Sequence, residues 1–397
     1  MRILLITDNH SRSGGAEHYF FDLKSRLKNV PGMEVYSLGF GNTPESGKDY
    51  RVFKGLKSKL AKLVWQILPH PVMYYRLRKQ IESIRPDVIH LHNIKQYTAS
   101  LLSAVKPYPV VQTVHDYGAV CPTAHNLHKD HQPCPTGLRL ACFWEHQVKY
   151  NLPAYLALAF AFYKTQHQLR KIVRKFFAPS PQLVEYLHRN RFKHCTYIPP
   201  FKKTVPAVSF HKMNPHHFLF AGNLGTHKGI YPMLEEFAIA RQKDPALTLT
   251  IAGTGPEEKR MRQRSDELGL KQSVFFPGWQ LQLEQEYEKC AAVIFPSLWV
   301  EAFGLVITEA MSHGRPVIGT NRGSPPWLID DQKTGIIFDP LKKGDLSDKI
   351  LALAGRPEQI KTLGMQAHAK LRELIDNEKV LSQIIHLYHQ ALVPASE

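Results

Sequence analysis

Glu301 and Glu309 are separated by seven residues in the run Phe295-Pro296-Ser297-Leu298-Trp299-Val300-Glu301-Ala302-Phe303-Gly304-Leu305-Val306-Ile307-Thr308-Glu309-Ala310-Met311. A strand pattern ends at Phe295. A loop follows with Glu301, Phe303 and Gly304, and a helical pattern starting near Gly304 carries Glu309 about a turn inside it. A helix N-terminus beside glycine offers unpaired backbone N–H groups and the positive end of the helix dipole, which suits a phosphate. Two carboxylates cannot ligate that anion without a metal. They can accept hydrogen bonds from hydroxyls on either side of it. A sugar on one side of a diphosphate and a ribose on the other meet that description. A solvated loop glutamate and a helix-face glutamate would leave the same pattern.

The elements that must hold these residues alternate along the chain. Arg2 to Thr7, Glu34 to Phe40, Asp87 to Leu91, Val110 to Val114, Arg174 to Ala178 and Thr196 to Ile198 read as strands. A helix is predicted from Ala16 to Leu27, and residues 138–175 read mostly as helix with a break near Pro153. Pro199-Pro200 opens a stretch rich in Pro, Lys and His to about Pro215, the best linker candidate. The alternation then restarts, with strands at 218–221, 247–252, 274–276, 292–295, 316–319 and 335–338 and helices between them. Strands separated by helices predict parallel sheets built from right-handed βαβ units. The chain of 397 residues therefore reads as two α/β domains facing a cleft, 1–205 and 206–375, followed by a C-terminal helical segment, 376–397.

With those elements in place, the sequence resembles the family 4 glycosyltransferases of the GT-B fold, which are generally retaining. Pro-Ser-x-x-x-Glu-Ala-Phe-Gly-x-x-x-x-Glu-Ala-Met is similar to that family's signature. Gly14-Gly15-Ala16-Glu17, His115-Asp116, Gly222 followed by Lys228-Gly229, Ala252-Gly253-Thr254-Gly255-Pro256, Phe276-Pro277-Gly278, Gly314-Arg315-Pro316 and Gly335 to Pro340 resemble its other motifs, in order. The resemblance implies two Rossmann-like domains, with acceptor binding by the first and nucleotide-sugar binding by the second. It implies that Glu309 accepts the ribose hydroxyls and that Glu301 lies beside the sugar. The N–H groups of Phe303, Gly304 and Leu305 would meet the phosphates. Lys228 would neutralise the leaving diphosphate as its charge grows in the transition state. His115 would face the transferred sugar, with Asp116 orienting it or capping the next turn. Gly14 and Gly15 would let the backbone approach the donor. Gly253, Gly278 and Trp279 would line the donor site, with Trp279 near the base.

One departure stands out: Asn223 occupies a position where the family commonly has Arg. Either Lys228 works alone, or Arg315, Arg322 or Lys333 supplies the second charge. No protein nucleophile is evident and no Asp-x-Asp motif occurs. The resemblance therefore implies front-side attack without a catalytic metal, the nucleotide-sugar being a substrate rather than a cofactor.

Cys121, Cys134 and Cys142 lie near His125, His128, His131 and His146. This spacing allows a structural metal site but lacks the close pair that marks one; a disulfide or free thiols in an acceptor-side loop are the alternatives. Cys195 and Cys290 read as small core residues.

The net charge of +17 is one-sided. Residues 1–205 hold 30 Lys/Arg against 12 Asp/Glu, whereas residues 206–397 hold 21 against 22. Such a half attracts a polyanion or an anionic lipid surface. Basic residues interleaved with apolar ones, as in Leu60-Ala61-Lys62-Leu63-Val64-Trp65, suit a helix lying on a membrane; a solvated basic face is the plainer account. No nucleic-acid-binding signature accompanies the charge. The expected partners are a nucleotide-sugar donor (UDP- or GDP-linked) and a glycan or lipid-linked glycan acceptor, as in bacterial surface polysaccharide or lipopolysaccharide synthesis. The expected location is cytoplasmic, with peripheral contact on the inner face of the membrane. The alternatives are a phosphorylase or epimerase on the same fold and a non-catalytic polyanion-binding protein.

Overall fold

A computed structural model describes residues 1–10, 14–41, 44–122, 126–130, 132–134, 137–139, 141–145, 151–203, 207–280 and 282–393. The chain divides into two compact units, one made of Met1–Phe201 with Asn377–Glu397, the other of Lys202–Asp376.

The N-terminal unit is built on eight strands: β1 (Arg2–Ile6), β2 (Glu34–Gly41), β3 (Glu45–Gly47), β4 (Tyr50–Lys54), β5 (Val88–Leu91), β6 (Val110–Thr113), β7 (Val173–Ala178) and β8 (Cys195–Tyr197). Their order across the sheet is β3-β4-β2-β1-β5-β6-β7-β8, parallel except for the short β3 at the edge. The central strands are runs of Val, Ile and Leu, and β5 and β6 are buried at every residue. That is the pattern of strands covered on both faces by helices. The C-terminal helix Asn377–Leu392 packs on β5, β6 and β7 of this unit.

Local chemistry sets several helix starts. Ser58, Asn151 and Ser180 each cap a helix, their side-chain oxygens accepting from the N–H three residues on. Pro153 falls in the first turn of the helix Leu152–Ile172. Its missing N–H costs nothing there, so it starts the helix instead of breaking one, a correction to the sequence reading. Upstream, residues 142–145 form only a short helical turn.

The C-terminal unit carries six parallel strands: β9 (His217–Ala221), β10 (Thr248–Ala252), β11 (Val274–Gly278), β12 (Ala292–Phe295), β13 (Val317–Thr320) and β14 (Gly335–Phe338). Their order is β11-β10-β9-β12-β13-β14. Leu219, Ile251, Ile294 and Ile318 lie in the buried strand centres, and helix Ile230–Lys243 adds Met233, Leu234 and Phe237 to the core. In both sheets the strand order reverses at the middle, between β1 and β5 and between β9 and β12. Ligands of such folds bind beyond the carboxyl ends of the strands at that reversal.

Candidate active site

In the C-terminal unit the reversal is flanked by the loops after β9 and β12, and the two loops are joined backbone to backbone. Leu298 N and Trp299 N both donate to His227 O, at 3.0 and 3.3 Å. Gly229 lies at φ +70°, and a Cβ there would sit 1.9 Å from Pro296 O, so only glycine permits the approach. The result lays Lys228 on Glu301: Nζ donates to Oε1 at 2.6 Å. Ser297 Oγ donates to the same oxygen at 2.8 Å. Glu301 is buried, and the Trp299 ring centroid lies 4.5 Å from the Lys228 ammonium. An ion pair removed from water in this way is charge-assisted and strongly oriented. The backbone of Glu301 is held from the far side, where Ser324 N donates to Glu301 O at 3.0 Å.

Gly304 caps the helix Leu305–Ser312 in the left-handed region, at φ +88°. Phe303 and Gly304 thus precede the first turn, and Leu305 opens it, where N–H groups have no intrahelical acceptor. Glu309 follows one turn in. Tyr287 OH donates to its Oε2 at 3.0 Å, and Lys203 Nζ is 3.3 Å from its Oε1. Gly253 and Gly278 end β10 and β11 at the same edge of the sheet, with Gly253 N donating to Gly278 O at 2.9 Å. Gly253 packs so close that a Cβ would lie 1.8 Å from Gly222 O. Trp279 stands beyond Gly278, half exposed, and Asn223 is exposed.

None of the three cations suggested as substitutes for the missing Arg is free to act as one. Arg315 is fully buried, its guanidinium donating to the carbonyls of Tyr287, Ser209 and Glu288. Arg322 is buried and donates to Leu298 O, bracing the glutamate loop. Lys333 precedes β14, at the opposite end of the sheet from Glu301. A cation that does reach this end of the sheet is Lys203, through its pair with Glu309; sequence reasoning placed it in a linker.

In the N-terminal unit His115 follows β6 and meets a second histidine that follows β5. His92 Nδ1 and His115 Nε2 are 3.0 Å apart, and the rings stack at 5.2 Å. His90 stacks on His92 at 4.4 Å and is itself held by Thr113 Oγ1 at 2.8 Å and Tyr388 OH at 2.7 Å. His92 Nε2 is buried and has no hydrogen-bond partner among the described residues. An orphaned N–H costs more than an orphaned lone pair, so that nitrogen is the bare one. Nδ1–H of His92 then donates to His115 Nε2, which leaves His115 protonated on Nδ1. Burial holds all three imidazoles neutral, lowering His90 to about 3, His115 to about 4, and His92 well below its ordinary value. Asp116 caps the turn Tyr117–Ala119, its Oδ1 accepting from Gly118 N at 2.7 Å.

Gly14 precedes the helix Gly15–Lys28 in extended backbone. Among the described residues a Cβ there would meet the flexible end of Glu17, its Oε2 at 2.9 Å.

Cys121, Cys134 and Cys142 are buried and not joined by a disulfide. Among the described residues no group of three His, Cys, Asp or Glu side chains is placed to hold a metal ion. His125, His131 and His146 lie outside the described residues. Cys290 is a core residue, while Cys195 is only partly buried.

Sequence reasoning missed His92, Tyr287, Lys203, Trp299 and Ser297 as members of these clusters. The last two were in view, inside the signature. The others come from distant segments with no local mark.

This architecture is that of the GT-B proteins. Anabaena HepE, solved in complex with UDP and glucose, superposes with a TM-score of 0.71 over 98% of this chain and 100% of that one, at 19% identity. The family model described as "Glycosyltransferase Family 4" matches residues 13–201, and "Glycosyl transferases group 1" matches residues 201–380. The chain belongs to this glycosyltransferase family. It is 28% identical over 176 residues to the O-antigen chain mannosyltransferase C of Escherichia coli, covering 43% of this chain and 46% of that one. It is 29% identical over 185 residues to the GtfA subunit of the UDP-N-acetylglucosamine–peptide N-acetylglucosaminyltransferase of Streptococcus gordonii, covering 45% and 36%. These matches thus span less than half the length of either curated relative.

Proposed function

We propose that the protein transfers a sugar from a nucleotide-sugar, UDP- or GDP-linked, to a membrane-associated or lipid-linked glycan, with retention of anomeric configuration and without a catalytic metal. The observation that carries this reading is the Lys228–Glu301–Ser297 cluster at the reversal of the second sheet, beside a glycine-capped helix bearing Glu309. Glu309 takes the ribose hydroxyls, and the N–H groups of Phe303, Gly304 and Leu305 take the diphosphate. Lys228 meets the charge that develops on the leaving oxygen. The C1–phosphate bond breaks as the acceptor oxygen bonds C1 on the same face, and the acceptor's proton passes to the departing phosphate. Gly14 and Gly15 leave room for the donor. HepE's complex with UDP and glucose and the named activity of the E. coli relative support the donor class and a surface-glycan acceptor. Among the described residues no helix is long and apolar enough to cross a membrane, so the membrane contact proposed is peripheral, on the inner face of the cytoplasmic membrane.

The test is a thermal-shift screen against UDP, GDP, ADP and dTDP and their sugar conjugates. A ligand bound only by the native state raises the melting temperature by mass action. A shift with one nucleotide, larger with one of its sugars, is expected; no shift with any of them refutes the reading. Glu309→Ala should lower affinity for that nucleotide roughly 10- to 100-fold, since a hydrogen bond to a charged group contributes about 1.5–3 kcal/mol. Unchanged affinity by calorimetry would remove Glu309 from the ribose.

His115→Ala should abolish most transfer while leaving nucleotide affinity intact. His92→Phe keeps the ring stack but removes the donor to His115 Nε2. It should lower kcat on the order of tenfold with donor KM unchanged. Nitrogen chemical shifts should then report His115 moving towards the Nε2–H tautomer. An unaltered tautomer would show that His92 does not position it.

A further inference from the structure

The basic excess of the N-terminal unit coincides with its bare apolar surface. No Asp or Glu occurs from Tyr50 to Ile81 or from His146 to Val184, yet these stretches hold eight and six Lys/Arg. The helices Lys59–Ile67, Pro71–Ile84 and Leu152–Ile172 lie within or largely within them. Leu152, Leu156, Phe160 and Tyr163 recur at intervals of four, four and three, which is one helix face, and all four are exposed. That stripe runs on to the exposed Lys171. On Pro71–Ile84 the exposed Val72 and Tyr75 share a face with Lys79. Leu60, on the helix Lys59–Ile67, is 70% exposed. The helix Lys59–Ile67 packs against Leu152–Ile172, where Lys164 Nζ donates to Ile67 O at 2.8 Å.

We propose that these three helices form a docking face for an anionic lipid bilayer. Leu60, Val72, Tyr75, Phe160 and their neighbours enter the boundary between headgroups and acyl chains, and the lysines meet the lipid phosphates. The inference rests on the membrane-borne acceptor of the proposed function for its purpose. Its evidence is separate: charge complementarity in which Glu82, paired with Arg78, is the one acid on the three helices, joined to apolar stripes left in water. A soluble polyanion would satisfy the lysines but give the apolar side chains nothing to enter. Amphipathic helices with lysines beside an apolar face bind a lipid surface by both forces together.

Flotation of the full chain with phosphatidylcholine vesicles, with and without phosphatidylglycerol, at low and high salt, tests this. Wild type is expected to float with the anionic vesicles and to keep part of that binding at high salt. Lys59→Gln/Lys79→Gln/Lys171→Gln should weaken vesicle binding roughly 100-fold, each cation near an anionic surface being worth about fivefold. Tyr75→Ser/Phe160→Ser should weaken it about tenfold or more and leave the remainder wholly salt-sensitive. The proposal is overturned if wild type fails to float at low salt. It is overturned equally if the apolar variant floats as wild type does, which marks a merely electrostatic face, or if RNA fully displaces wild type from vesicles at high salt. A shift from dimer to monomer in the apolar variant, without vesicle binding by wild type, would assign the face to a second copy. Both variants should retain the nucleotide-induced thermal shift. Absence of that shift in wild type would refute the transferase reading and leave the vesicle result standing.

Discussion

Lys228→Ala is expected to lower sugar transfer by roughly 10²–10³-fold, the usual cost of removing one preorganised group that stabilises transition-state charge. The effect should fall on kcat more than on donor affinity, because the leaving diphosphate gains negative charge only as the glycosidic bond breaks. The same substitution strands Glu301, buried and left, among the described residues, with Ser297 as its remaining side-chain donor. Breaking a well-buried ion pair from one side costs about 3–5 kcal/mol, and the partial exposure of Lys228 places this pair at the low end. The two consequences separate in a double variant. Lys228→Ala/Glu301→Gln should regain much of the lost thermal stability, since no buried charge is left unpaired, and none of the lost rate. Single-turnover kinetics and calorimetric melts of the two variants test this. A Lys228→Ala protein that transfers at the wild-type rate would end the assignment of the lysine to the leaving group.

Acidification is expected to destabilise the N-terminal unit at a pH where the chain's ordinary carboxylates are still ionised. His90 and His115 titrate in the folded state at about 3 and about 4, and His92 is also held well below 6.5, all through burial. Each is therefore neutral in both states above pH 6.5 and contributes nothing to pH dependence there. Below 6.5 the unfolded chain takes up protons that the folded chain refuses, so stability falls as pH drops from 6.5 towards 4. Asp8 opposes this. Burial raises it to about 6, so the folded state holds a proton the unfolded state has lost between about pH 4 and 6. Three histidines against one aspartate leave a net loss on the order of 2–4 kcal/mol between pH 7 and 5. Melts at those two pH values should show a large drop in the transition of this unit. His90→Phe, which keeps a ring in the stack and removes one titrating group, should reduce the drop by about two-fifths. An unchanged melting temperature from pH 7 to 5 would show that the three imidazoles are not held neutral together.

The comparison of sequence with structure follows the range of the forces involved. The segment 295–311 could be read directly because strand, loop, helix start and both glutamates lie within one short stretch, where backbone rules and side-chain period act locally. The alternation of strands and helices was legible for the same reason, and with it the parallel sheets. Pro153 was misread because a proline in a helical pattern signals either a break or a first turn, and Asn151 decides between them through a cap whose geometry is visible only in the structure. The strands β3 and β4 were missed: Tyr50–Lys54 is basic and short, and its strand character comes from pairing with β2.

By itself the sequence determined the two α/β units, the glutamate-bearing helix start, the glycines that end the strands and the one-sided charge, all properties of residues near one another in the chain. Only the tertiary structure decided which distant groups share a site. It laid Lys228 on Glu301, set Lys203 and Tyr287 on Glu309, withdrew Arg315 into the core and stacked His90, His92 and His115 under Tyr388. Those choices depend on strand order and on which loops the sheet reversal brings together. The free energy that settles them is burial and hydrogen bonding between segments up to 298 residues apart, and such contacts leave no period or spacing in the chain that makes them.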